Sequence, residues 1–157
     1  MIIEPAAAPR GAQQARACLV RLAGALFAVD VRYAREVVVF EEYTPVPLAP
    51  AHLIGVVNLR GQVMPLVDTR AFVGLELARA TRDAKALVVE HEHLPAAFLI
   101  DDAVGLETLV SAPAADGETG VFTAGRLERE GGAVMLLDVA RILEAVGGAV
   151  EANREES

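Results

Sequence analysis

Residues 55–70 read GVVNLRGQVMPLVDTR, and their pattern decides the class of fold. Two short apolar runs, IGVVNL (54–59) and QVMPLV (62–67), flank Arg60 and Gly61. Runs of this length, rich in β-branched residues and separated by a glycine turn, read as a β-hairpin. Gly61 stands where such a turn needs positive φ. Asp68 ends the second strand and is placed to cap a short helix through Phe72 and Val73.

Outward from this hairpin the chain repeats the same vocabulary. Upstream, YTPVPLAPAHL (43–53) carries Pro45, Pro47 and Pro50, so it crosses an edge or surface in extended form rather than pairing centrally. Before it, ACLVRL and ALFAVDV flank Ala23 and Gly24 as a first hairpin, which Asp30 stops. The spacing of Val31, Ala34 and Val37 predicts about one helical turn capped by Asp30 before the chain extends again through VVVF.

The second half answers the first at a nearly constant offset. Leu19-Val20 matches Leu87-Val88, FAVD (27–30) matches FLID (98–101), and PLVD (65–68) matches MLLD (135–138). An internal repeat of this kind means two similar supersecondary units. Each offers about five short strands, enough for a small barrel filled by its own side chains but too thin to stand alone. The expected architecture is therefore all-β: two barrels packed together, with repeat lobes at about 16–78 and 84–147. Val139, Ile142, Leu143 and Val146 fall on one face of a closing helix that docks on them. Residues 1–15 and the acidic 148–157 lack periodicity and are expected to be flexible tails, and SAPAADGETG (111–120) looks equally loose.

Composition narrows the function. The formal net charge of −8 argues against nucleic acid and anionic membrane surfaces as partners. The single Cys18 sits in a strand-like alternation and reads as a structural thiol, so nothing points to an oxidising compartment. MIIEPAAAPRGAQQ lacks the features of a signal peptide, and no apolar run reaches the ~18–20 residues of a membrane span, so a cytoplasmic protein without direct membrane insertion is expected.

Catalytic constellations are sparse. His91-Glu92-His93 alternates two imidazoles, but in a predicted hairpin turn without a third ligand in register. Glu41-Glu42 and Asp101-Asp102 are neighbours that point to opposite faces of an extended strand and cannot share a substrate. No phosphate loop, dinucleotide fingerprint or nucleophile elbow is present. The sequence thus predicts no enzyme, no cofactor and no metal. What stands out is Asn58 and Arg60 in an otherwise apolar strand run. A planar guanidinium there can reach a carboxylate across the sheet, and Glu36, which also interrupts an apolar segment, is the candidate partner.

On these residues the chain resembles CheW-like proteins, the adaptors that couple chemoreceptors to the histidine kinase of bacterial chemosensory arrays. The resemblance covers about residues 16–147. It runs through AREVV (34–38), the Pro-rich crossing, the quoted stretch, LIDDAVGLETL (99–109) and VMLLDVARIL (134–143). It implies two SH3-like five-stranded barrels around a shared apolar core, with short capping helices and a C-terminal helix. It also implies function by contact: one surface for the regulatory domain of a CheA-type kinase, another for the cytoplasmic hairpin tip of a methyl-accepting chemoreceptor. The protein would then be recruited to membrane-associated receptor arrays, and ring-wise self-association through barrel ends is a further implication. The receptor-binding residues it points to are Glu36, Val37, Gly55, Asn58, Arg60 and Gly61, with Gly55 and Gly61 shaping the backbone. Thr69, Ala86 and Ala103 depart from the family pattern, the two alanines being expected at a groove wall.

Overall fold

A computed structural model describes residues 14–77, 84–112 and 120–155. The elements in order are β1 (Gln14–Leu22), β2 (Ala25–Asp30), β3 (Ala34–Phe40), β4 (Leu53–Leu59), β5 (Gln62–Val67), a 3₁₀ turn (Thr69–Phe72), β6 (Ala84–His91), β7 (Leu94–Ile100), β8 (Asp102–Ala112), β9 (Thr123–Arg129), β10 (Gly132–Leu137) and α1 (Val139–Glu155). They form two five-stranded sheets. One closes as a barrel in the order β1-β2-β10-β9-β8; the other runs β3-β6-β7-β5-β4, with β3 and β4 as its edges.

The hairpins form where glycine-containing turns allow them. Ala23 and Gly24 (φ 52° and 82°), like Arg60 and Gly61 (φ 52° and 85°), are left-handed at both turn positions. That is the turn whose twist matches the flanking strands. Asp68 caps the 3₁₀ turn, its carboxylate accepting from the Arg70 N–H at 3.1 Å.

The long apolar runs are explained by burial on both faces. Along β1, Ala17 and Leu19 fill the closed barrel, while Cys18, Val20 and Leu22 face a second cluster shared with the other sheet. Along β7, Ala97 and Leu99 fill the open sheet's interior, while Ala96, Phe98 and Ile100 face the shared cluster. This is the period-two alternation of a strand with two apolar sides to serve. The expected face of α1 closes the shared cluster: Val139, Ile142, Leu143 and Val146 are all buried in it.

Four expectations are corrected. The repeat is present, but its halves are not the barrels. β1 and β2 complete their barrel with β8, β9 and β10, whereas β6 and β7 complete theirs with β3, β4 and β5. The reason lies in the connections. One residue, Asp101, separates β7 from β8, which is too short for a hairpin of about two loop residues, so the chain runs on into the other barrel. The equivalent β2–β3 connection crosses the other way. Second, Val31–Tyr33 form a turn rather than a helical turn, and Ala34–Phe40 is strand. Asp30 caps by accepting from the Arg32 N–H at 2.9 Å, and the β-branched Val37-Val38-Val39 run then pairs with β6. Third, α1 continues to Glu155, since AVEANRE is rich in good helix formers; residues 156–157 lie outside the described residues. Fourth, β1 begins at Gln14, inside the expected N-terminal tail, while 1–13 and most of the 111–120 stretch lie outside the described residues. Among the described residues no helix is long and apolar enough to cross a membrane.

Candidate functional site

The second sheet is rolled so that Phe40 of one edge and Val57 of the other pack in one interior cluster, with Val38, Ile54 and Leu59 alongside. Its two edge strands, β3 and β4, share no hydrogen-bonded ladder, and the line between them is the seam. The Pro-rich crossing covers the β4 side: Thr44 and Val56 exchange two backbone hydrogen bonds of 2.9 and 2.8 Å. Gly55 makes this contact possible. A Cβ there would stand 2.3 Å from the Thr44 carbonyl oxygen, closer than any side chain tolerates.

At the end of the seam stands the β4–β5 turn. The Asn58 carboxamide oxygen accepts from the Gly61 N–H at 2.9 Å and fixes the loop. The Arg60 guanidinium donates to the Glu36 carboxylate on β3, so the candidate pair named from the sequence forms, and it links the β4–β5 turn to the opposite edge. Arg60 keeps 72% of its side-chain surface exposed, and Glu36 29%. Val37 points the other way, half-buried against the shared core beside Leu87. The six expected residues therefore divide: Gly55, Asn58 and Gly61 shape the seam and its turn, Glu36 and Arg60 present charge on it, and Val37 belongs to its apolar backing.

Arg70, the last residue of the quoted stretch, was not singled out by the sequence. It is 2% exposed. Its guanidinium donates to Asp68 at 3.2 Å and to Asp101. The sequence offered Asp68 as a strand end and cap and Asp101 as the strand neighbour of Asp102; the structure adds that a carboxylate as buried as Asp68 (1% exposed) requires a donor. Asp101 and Asp102 diverge, as expected of strand neighbours. Asp101 turns to Arg70, whereas Asp102 turns to Lys85 at 3.0 Å, which holds the Asp102 carboxyl below the usual range.

His91 ends β6, and Glu92 and His93 form the predicted turn with φ of 51° and 65°. Among the described residues no group of three His, Cys, Asp or Glu side chains converges as a metal set. Cys18 is buried, which raises its pKa and keeps the thiol inert. Ala86 is buried inside the second barrel rather than at a groove wall. Ala103 packs against the shared core, and Thr69 is buried with its hydroxyl unpartnered. An open depression between β8 and β9 is lined by Glu107, Leu109, Glu128 and Arg129 among others. There Arg129 grips Glu107 through two bonds of 2.9 and 3.3 Å, lowering the Glu107 carboxyl and raising its own guanidinium.

Comparison with known proteins places this arrangement. The model of the CheW-like domain family matches residues 16–147. The chain belongs to this family. The CheW-like domain is 39% identical over 75 residues to the chemotaxis protein CheW of Helicobacter pylori, covering 48% of this chain and 46% of that one. It is 31% identical over 87 residues to the protein PilI of Pseudomonas aeruginosa, covering 55% and 49%. These alignments span about half the length of those relatives. A longer one, 25% identical over 124 residues, reaches 81% of the chemotaxis protein CheW of Thermotoga maritima and 76% of this chain. In fold, the CheW-like domain superposes on the scaffolding protein TtCheW of Thermoanaerobacter tengcongensis with a TM-score of 0.68 at 20% identity, covering 80% of this chain and 89% of that one. Its two five-stranded sheets are thus the SH3-like barrels of that fold.

Proposed function

We propose that this CheW-like domain is a non-enzymatic adaptor that couples chemoreceptors to a CheA-type histidine kinase. The observation that carries the reading is the Glu36–Arg60 pair at the end of the β3–β4 seam. An exposed ion pair contributes little to stability, roughly 0.2–1 kcal/mol. The left-handed backbone at Arg60 costs an L-residue about as much or more, ~1–2 kcal/mol. Ala23 and Glu92 hold the same left-handed position in other hairpin turns, so the backbone cost comes with the turn; what supports a partner is the exposed charge pair presented at it. In this reading Glu36 and Arg60 contact the receptor tip, Gly55, Asn58 and Gly61 hold the turn and backbone that present them, and Val37 backs them from the shared core. The kinase regulatory domain takes another surface, and the assembly sits at membrane-associated receptor arrays. The filled barrel interiors favour contact over a buried ligand. The similarity to PilI favours, as a second reading, service in a twitching or other non-flagellar pathway. Pull-down and titration calorimetry with a CheA-type regulatory domain and with a receptor cytoplasmic tip test the proposal. Binding of both at tens of micromolar or tighter is expected, and binding of neither refutes it.

A further inference from the structure

The chain passes between barrels twice, and the two passages are built differently. Between β2 and β3 lie three residues, Val31–Tyr33, and the Asp30 carboxylate there is held by Arg32 of the same turn. Between β7 and β8 lies only Asp101, the repeat equivalent of Asp30. Its N–H donates to the Arg21 carbonyl of β1, in the closed barrel, at 2.9 Å. Its carboxylate accepts from Arg70, which follows β5 of the other barrel. Arg70 is itself fixed by Asp68, and the guanidinium is nearly sealed from solvent.

We infer that Arg70 is a positioning residue that sets the angle between the two barrels by gripping the Asp101 crossover. A single residue linking two strands has two soft dihedrals, and small changes in them swing one barrel against the other. Beyond what the shared core fixes, Arg70 restrains the crossover itself because its planar fork engages the Asp68 and Asp101 carboxylates at once, in a fixed relative orientation. The neighbouring Lys85–Asp102 pair also spans the crossover, but both of its partners are about half exposed, whereas in the Arg70–Asp101 pair Asp101 is 45% exposed and the guanidinium only 3%, so solvent and salt weaken the lysine pair more. The inference concerns the isolated chain and does not rest on the adaptor reading.

The test is pulsed electron–electron resonance between spin labels at Val63→Cys on the open barrel and Val121→Cys beside the closed one, both exposed positions, in a Cys18→Ala background. Arg70→Met and Asp101→Ala should each broaden the interlabel distance distribution relative to the parent, within the limit set by the apolar core that the two sheets share. Met64→Ala, which opens a cavity inside one barrel, should lower the melting temperature yet leave the width unchanged. A parent-like width in Asp101→Ala, or equal broadening in Met64→Ala, overturns the inference. Should Arg70→Met fail to fold, Asp101→Ala, which leaves the Arg70–Asp68 pair intact, decides alone.

Discussion

Gly55→Ala is expected to be among the costliest single-methyl additions in this chain, although alanine is the smallest side chain available. The new Cβ would stand 2.3 Å from the Thr44 carbonyl oxygen and 3.0 Å from the Pro45 Cα, both backbone atoms that cannot swing aside as a flexible side chain would. Relief requires the crossing to lift off β4. That breaks the two Thr44–Val56 hydrogen bonds of 2.9 and 2.8 Å, each with a net contribution of about 1 kcal/mol. Keeping the bridge instead means absorbing overpacking of ~1–3 kcal/mol. Across the two routes the loss is about 1–3 kcal/mol, or roughly 2–12 °C in Tm for a domain of this size. Urea denaturation gives the free energy, and hydrogen exchange locates it: the Thr44 and Val56 amides should lose protection while the Leu19 and Leu87 amides follow only the global change. A loss under ~0.5 kcal/mol with the two amides still protected would refute the reasoning.

Two further outcomes follow from the same geometry. Arg60→Ala should cost less than ~1 kcal/mol, and Arg60→Gly should be neutral or stabilising because it relieves the left-handed backbone; a large loss of Tm in both would show that the arginine is structural. His52 packs on Phe72 at 4.6 Å with its Nε2 buried and unpartnered, and burial lowers its pKa below 6.5. The unfolded chain therefore binds a proton first as pH falls, so stability is full above about pH 6.5 and declines as pH drops through that value towards the lowered folded one. His52→Phe should flatten that decline between neutral and mildly acidic pH in urea titrations, and an unchanged slope would exclude His52 as its source.

Much of the fold was legible because it is written in local chemistry. The Arg60-Gly61 turn, the Asp68 cap, the face of α1 and the strands around them follow from glycine, aspartate and periodicity at short range. The repeat was legible too, but not its strand exchange. That depends on the single residue between β7 and β8, and a sequence in which Asp101 reads as a terminator does not reveal that the next strand belongs to another sheet. The error at Val31–Val37 has a similar cause: a spacing of three fits a helical turn as well as a turn followed by a strand, and pairing with β6 decides. At the site, Glu36 and Arg60 were visible as charges interrupting apolar runs. Arg70 was not, because nothing local distinguishes a buried arginine after a strand from an exposed one. Its burial follows from the long-range approach of Asp101.

The central claim, that the Glu36–Arg60 seam is a receptor-facing surface, is tested most directly by calorimetric titration of a receptor cytoplasmic tip into the parent chain, Arg60→Glu, Glu36→Arg and the double exchange. The account predicts that Arg60→Glu weakens binding at least about tenfold, the equivalent of ~1.4 kcal/mol, with Tm within a few degrees of the parent. It also predicts that the double exchange restores the Tm but not the binding, because the partner reads which edge carries which charge. Parent-like affinity in Arg60→Glu would contradict it.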